Sequence, residues 1–327
     1  WNIFHFHKNY NNRNMKNIYK NSQENLNKAK KFLKNHNVIA VPTETVYGLA
    51  GNAYSDRSVK KIYKFKKRPK KNPLIIHYYN IKKLKKDAYI DNNFLKLYKK
   101  LSPGPLTYVL KKKKNSQISS IANANLDSIA VRFPKNTVIR NLLKQLSFPL
   151  AIPSANISSS VSPVRAQDVI DEFGKKISFI LDGGRSKIGL ESTVINLYGK
   201  VGLLRPGAVT QQKIRKILRM NIPTIKKKKK LLSPGLLKKH YSPGIPIKLN
   251  CKKSDDKAAF IVFGKKFKKG NNIFNLSPNG NLNEAAKNLY KTLRRIKFLK
   301  YKKINIVKIP NYSIGIAIND RLKRASY

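Results

Sequence analysis

The sequence is short of acid, of cysteine and of long apolar runs. Its 327 residues hold 15 Asp and Glu against 70 Lys and Arg, a formal net charge of +55, and one cysteine, Cys251. A single cysteine excludes an intrachain disulfide and any zinc site built on paired cysteines, and it suits a reducing compartment. No apolar run nears the roughly 20 residues of a membrane span. The chain is therefore expected to be cytoplasmic with no membrane partner. A Walker-type phosphate loop, a glycine-rich dinucleotide fingerprint, zinc spacing and the kinase signature set are also missing. Any nucleotide must then be held by scattered cations, and no protein-built metal site is expected.

A charge of this size attracts polyanions, RNA among them. The lysines come with abundant Asn, Ile and Tyr, a mix that an A/T-rich coding sequence produces. The charge thus permits tRNA or RNA contact without requiring it. The length suggests two domains. Residues 1–15 are expected to be an extension, rich in Asn and basic residues, without an apolar signal core and with Met15 as an alternative start. A first domain is expected over 16–220, a linker over 221–248 and a small domain over 249–327.

The chain is organised around residues 41–77, VPTETVYGLAGNAYSDRSVKKIYKFKKRPKKNPLIIH. The apolar run Val38 to Val41 has the length of a buried strand and stops at Pro42. Thr43, Glu44, Thr45 and Tyr47 follow, then Gly48 and Gly51, which permit a tight turn or a close approach. Asp56 to Phe65 has helical spacing, with Val59, Ile62, Tyr63 and Phe65 apolar. Lys66, Lys67, Arg68 and Lys70 cluster past that helix, and Pro73 to His77 reads as a second strand. Hydroxyls, a histidine and fixed cations thus meet at two strand ends and a helix end, which suits a polyanion beside a small polar molecule. The plainer reading is a solvated basic loop.

Further along, Ser22 is placed to cap an amphipathic helix to Asn35. Helical patterns follow at Ile81 to Ala88 and Asn93 to Leu101, then a rigid turn at Ser102 to Thr107 and a strand at Tyr108 to Leu110. Leu126 to Pro134 alternates as a strand. Arg132 in its apolar run needs an anion, either Asp127 or a ligand whose carboxylate fits the guanidinium fork. Phe148 to Ile152 reads as a strand, and Ser154 and Asn156 follow it. Ser162-Pro163-Val164 reads as a helix start. Ile177 to Leu181 and Glu191 to Ile195 are further strands, and Ile214 to Met220 is a short helix. The lysine run Lys226 to Lys230 opens a linker-like region through Ser233-Pro234-Gly235, His240 to Gly244 and Pro246. The small domain shows a strand at Ala258 to Phe263, a helix at Asn281 to Lys300, a strand at Ile304 to Ile309 and a closing helix at Gly315 to Ala325. That order predicts a parallel, Rossmann-like sheet. Asn319 and Asp320 read equally as caps or as functional groups.

Pro42-Thr43-Glu44-Thr45-Val46-Tyr47-Gly48-Leu49, Lys66-x-Arg68-Pro69, Asn72 to His77, Ser154-x-Asn156, Gly202 to Ala208 and Ser-Pro-Gly with His240-Tyr241-Ser242-Pro243 together resemble the YrdC-like family, the threonylcarbamoyl-AMP synthases, in the long form with an extra C-terminal domain. The resemblance spans Val38 to Ala325. It implies an α/β fold, a YrdC-like twisted mixed sheet with flanking helices plus a small Rossmann-like C-terminal domain. It implies a nucleotidyltransferase that joins L-threonine, bicarbonate or CO2 and ATP into threonylcarbamoyl-AMP and pyrophosphate, for a downstream transferase acting on tRNA. Mg²⁺ is expected on the phosphates. By the same resemblance Lys66, Arg68, Ser154 and Asn156 are catalytic. Lys66, Lys70, Ser128, Ser154, Ser162, Arg205 and Tyr241 hold ATP, the last from a linker lying over the pocket. Thr43, His77, Arg132, Ile152 and Ser192 hold threonine. Two departures stand out: Ser102 where the family usually carries an aromatic, and Lys67 where it commonly has Gly. If that backbone needs φ > 0, Lys67 is strained by about 1 kcal/mol. The other readings are an RNA-binding module without catalysis and a carbamoyl-phosphate-using relative, which would lack the linker and C-terminal domain.

Overall fold

The computed structural model describes residues 17–225, 240–267 and 270–327. The expected extension at 1–15, the lysine run and Ser233-Pro234-Gly235 lie outside the described residues. Strands β1 (Ile18–Lys20), β2 (Ile39–Val41), β3 (Gly48–Asn52), β4 (Ile75–His77), β5 (Leu106–Lys111), β6 (Ser128–Arg132), β7 (Leu150–Ala151), β8 (Ile180–Asp182), β9 (Thr193–Asn196) and β10 (Gly202–Arg205) form one sheet. Their order is β1-β8-β2-β3-β7-β4-β6-β5-β9-β10. Parallel pairs such as β4 with β6 alternate with antiparallel ones such as β5 with β6, so the sheet is mixed as expected.

Helices cover the sheet for ordinary reasons. In Gln23–Lys34, Ser22 Oγ accepts from Asn25 N at 3.1 Å, and Leu26, Ala29 and Leu33 share the buried face. Asp56–Lys66 is capped by Ser55 and buries Val59, Ile62 and Tyr63. Gly48 serves close approach rather than a turn: it lies within β3, and a Cβ there would sit 2.2 Å from Ile152 Cγ2. Ser162 does not start a helix. The helix Ala166–Phe173 begins three residues later at the Arg165 cap, with Asp168 accepting from Val164 N at 2.9 Å, and the Ser162 hydroxyl goes elsewhere. Ser102 replaces an aromatic contact with a hydroxyl pair, 2.8 Å from Tyr108 Oη. Gln211–Leu218 packs Ile214 and Leu218 into the core of this first body.

The second body is a sheet of β11 (Ile247–Lys248), β12 (Ala259–Val262), β13 (Ile273–Asn275) and β14 (Ile304–Ile306), in the order β11-β14-β12-β13. Every pairing is parallel. Helix Leu282–Phe298, capped by Asn281, crosses between β13 and β14, and Gly315–Ala325 closes the chain. Asn319 bonds the Ile309 carbonyl at 3.1 Å and Asp320 pairs with Arg321 and Arg324, so both are structural here. Among the described residues no helix is long and apolar enough to cross a membrane.

The two bodies dock closely. Gly189, at φ +79°, meets the Lys287 backbone: a Cβ would lie 2.8 Å from its Cα. Arg185 and Arg294 reach the carbonyls of Lys287 and Val161 at 2.7 and 2.5 Å. Val46, Val161, Val164, Leu190 and Tyr241 belong to the same apolar cluster as the C-terminal sheet and its helices.

Lys67 takes the left-handed cap position after Asp56–Lys66, at φ 48° and ψ 44°. Lys67→Gly should therefore stabilise the fold by about 1 kcal/mol in chemical denaturation; an unchanged or lower midpoint contradicts the strain.

Candidate functional site

Sheet register builds the floor of the site. His77 on β4 pairs across to Arg132 on β6, and Arg132 to Thr107 on β5. β5 pairs Leu106 with Thr193 of β9, which brings Ser192 alongside; Ser192 Oγ lies 2.7 Å from Thr107 Oγ1. Four strands thus end in one polar row.

The anion that Arg132 required is Glu44. Its Nη2 donates to Glu44 Oε1 at 2.6 Å and its Nη1 to Thr45 Oγ1 at 2.8 Å; Asp127 plays no part. Glu44 Oε2 also accepts from the backbone N of Lys135 and Asn136, at 2.9 and 3.3 Å. Burial works against the carboxylate, but Arg132 outweighs it and holds Glu44 below its usual range. Among the described residues, Arg132 keeps one N–H on each terminal nitrogen uncommitted. Thr43 Oγ1 donates to Val46 O at 2.6 Å and accepts from Val46 N at 3.2 Å, so this hydroxyl shapes its own loop. His77 Nδ1 lies 3.2 Å from Ile75 O, which places the proton on Nδ1 and leaves Nε2 to accept. Burial, then the Arg132 charge, keeps the ring neutral.

The two signature blocks meet through Lys66. Its ammonium, fully buried, donates to Ser154 O at 2.6 Å and Asn156 O at 2.5 Å. Burial, then Arg68, pushes its pKa well down. Arg68 donates from Nε to Asn72 O at 3.0 Å and from Nη2 to Pro73 O at 2.9 Å, and burial lowers it to about 10. Arg205 donates from Nε to Ser192 O at 3.0 Å and from Nη2 to Ser192 Oγ at 3.2 Å.

A cleft enclosing about 530 Å³ of space, part of it open to solvent, runs between these groups. Of the sequence-derived residues, Thr43, Arg68, His77, Arg132, Ile152, Ser154, Ser192, Arg205 and Tyr241 line it. The other five do not. Lys66 stands behind the wall as a cross-tie. Asn156 turns its amide to the carbonyls of Ile157 and Ser160, at 2.7 and 2.9 Å. Ser162 Oγ donates to Glu191 Oε1 at 2.6 Å. Lys70 is exposed to water, and Ser128 is buried at the start of β6, away from the Arg132 end.

Glu191 and His240 line the cleft without having been singled out. A carboxylate next to hydroxyls was a usable signal in so basic a chain; His240 carried only its place in the linker motif. Glu191 accepts from Ser162, Tyr290 and Arg321, and although burial opposes it, the arginines bring its pKa down to about 2. Burial lowers His240 to about 3, against the pull of Glu191. The linker lies down beside it: His240 N donates to Arg324 O at 3.1 Å and Ser242 N to Ser159 O at 2.8 Å. Tyr241 is fully buried at φ 65°, and its hydroxyl has no hydrogen-bond partner among the described residues.

The family profile described as telomere recombination, Sua5/YciO/YrdC, matches residues 31–207, and that described as threonylcarbamoyl-AMP synthase, C-terminal domain, matches 209–326. The threonylcarbamoyl-AMP synthase of Pyrococcus abyssi is 35% identical, over 90% of this chain and 92% of its own. That of Bacillus subtilis is 31% identical over 91% and 92%. The crystal structure of P. abyssi Sua5 complexed with L-threonine superposes with a TM-score of 0.86 at 32% identity, covering 95% of this chain and 97% of that one. The chain belongs to the threonylcarbamoyl-AMP synthase family, in the long form that carries the C-terminal domain.

Proposed function

We propose that this chain makes threonylcarbamoyl-AMP from L-threonine, bicarbonate or CO2 and ATP. The observation that carries the reading is the single cleft lined by Arg68, Arg132 and Arg205, with Lys66 tying the Ser154 block to the Arg68 block behind it. The threonine amine adds to the carbon of CO2, giving N-carboxythreonine and a proton; from bicarbonate, water leaves in place of the proton. A carbamate oxygen then attacks the α-phosphorus, the bond to the bridging oxygen breaks, and pyrophosphate departs. Fixed cations offset the charge on the transferring group, and positioning supplies the rest.

Arg132 seats the threonine carboxylate with its two uncommitted N–H groups, beside Thr43, His77, Ile152 and Ser192. Neutral His77 offers Nε2 to the substrate's amine or hydroxyl. Arg68 and Arg205 face the phosphates, with Ser154 near them and Tyr241 over the nucleotide. Carbamates lose CO2 readily in water, so the linker segment from His240 to Ser242 serves as a cover. Mg²⁺ travels with ATP. The cleft gives it no ligand set: both Glu191 oxygens are taken, and no cluster of metal-ligating side chains occurs among the described residues. The product's mixed anhydride suits a cytoplasmic transferase that modifies tRNA next to the anticodon, and the +55 charge would favour such contacts.

Arg68→Ala should cut threonine- and bicarbonate-dependent pyrophosphate release by about a hundredfold or more while the melting curve stays put; wild-type turnover refutes the site. Carbamoyl phosphate should not replace threonine and bicarbonate in that assay. Arg132→Lys should raise the threonine KM by about tenfold with a smaller change in the ATP KM, because a point charge loses the fork. His240 is neutral when docked and titrates near 6.5 when released, against about 3 in place. Linker docking is therefore fully favoured above pH 6.5 and weakens as pH falls below it, by up to about 1.4 kcal/mol per unit. The ATP KM should rise over that range in the wild type and stay flatter in His240→Asn; parallel profiles contradict this.

A further inference from the structure

Glu191 is the one carboxylate among the residues lining the cleft. Beside a triphosphate, an uncompensated carboxylate repels the ligand and competes for its cations. Its compensation comes from the other domain. Arg321, on the closing helix and 1% exposed, donates from Nε to Glu191 Oε2 at 3.0 Å. The Tyr290 hydroxyl donates to the same oxygen at 2.9 Å. Arg321 Nη1 is fixed by Pro206 O at 2.8 Å and Asp320 Oδ2 at 2.9 Å, so the fork is aimed before any ligand arrives. The guanidinium also lies over the Tyr241 ring, 5.3 Å from its centre, and Tyr290 stacks on that ring at 5.9 Å. One buried cation of the C-terminal domain therefore holds both a cleft carboxylate and the linker tyrosine.

Arg205 shows what this arrangement spares. Its Nε and Nη2 are bonded to Ser192, and Nη1 has no hydrogen bond among the described residues. With Arg321 removed, the Glu191 oxygen it held would turn to Arg205, whose guanidinium is bonded to the adjacent Ser192 and already acts on that carboxylate.

We propose that Arg321 is a positioning residue for the nucleotide: it neutralises Glu191 and keeps it off Arg205, so that the phosphate cations stay available to ATP. The C-terminal domain thereby completes the nucleotide end of a cleft that lies in the other domain. The inference rests on Arg68 and Arg205 facing the phosphates.

Steady-state pyrophosphate release, titrated separately in ATP and threonine, tests it on the full chain. Arg321→Met should raise the ATP KM by about tenfold and leave the threonine KM within about twofold. Adding Glu191→Gln to that variant should bring the ATP KM back to within about threefold of wild type, because the offending charge is gone. Glu191→Gln alone should lower the ATP KM or leave it unchanged, and Arg321→Lys should sit near wild type. An unchanged ATP KM in Arg321→Met, a double variant worse than Arg321→Met, or a raised ATP KM in Glu191→Gln overturns the proposal. If Arg321→Met does not fold, Glu191→Gln and Arg321→Lys decide by the same signs. Arg68→Ala in the same assay separates the two levels. Lost turnover there with an unaffected Arg321→Met sinks this inference alone, whereas wild-type turnover in Arg68→Ala sinks the nucleotide reading beneath it.

Discussion

Lys66 gives its ammonium to the carbonyl oxygens of Ser154 and Asn156, at 2.6 and 2.5 Å, in a place where water does not reach it. A buried cation with no carboxylate partner is costly, and only close carbonyl dipoles offset that cost. The contact joins the end of the helix Asp56–Lys66 to the loop after β7, segments about 90 residues apart. Arg68 hangs from the same helix end, and Ser154 lines the cleft from the other side. This tie, with the backbone bond from Ser158 N to Lys66 O at 2.8 Å, fixes the relative placement of the two blocks, and the cleft depends on that placement.

With 15 acids for 70 bases, the chain spends carboxylates sparingly. Glu44 goes to Arg132 and Glu191 to Arg321, each where a guanidinium is buried, and Glu172 goes to the half-buried Arg294. Breaking one such pair costs about 3–5 kcal/mol, although the intact pair adds little net stability. Their value is directional: each fixes a fork that an apolar environment would not tolerate unpaired. Arg68 and Arg205 are held by backbone carbonyls and Ser192 instead, which leaves their charge for a ligand.

Much of this was legible in the chain itself. Apolar runs marked β2, β4 and β12, and the order of strand, helix and strand gave the parallel second sheet. The motif blocks located nine cleft residues. What escaped had a physical reason. β11 and β13 are two and three residues long, too short for a periodic pattern. Helix Thr137–Gln145 follows Pro134 and an Asn cap without an acidic first turn, so its start was quiet. Lys66 and Asn156 were assigned to the ligand because a motif shows which residues matter and not which way they point. Glu191 and Arg321 meet across 130 residues of sequence, and no local spacing reveals such a pair.

In the proposed reaction one cavity seats an amino acid against a triphosphate. Calorimetric titration of the intact chain with threonine and a non-hydrolysable ATP analogue addresses it directly. The account predicts that each binds in the presence of the other, one of each per chain, that Arg68→Ala loses the nucleotide while keeping threonine, and that Arg132→Lys weakens threonine by about tenfold while keeping the nucleotide. Mutually exclusive binding, or loss of both ligands in either variant with the fold intact, would contradict it.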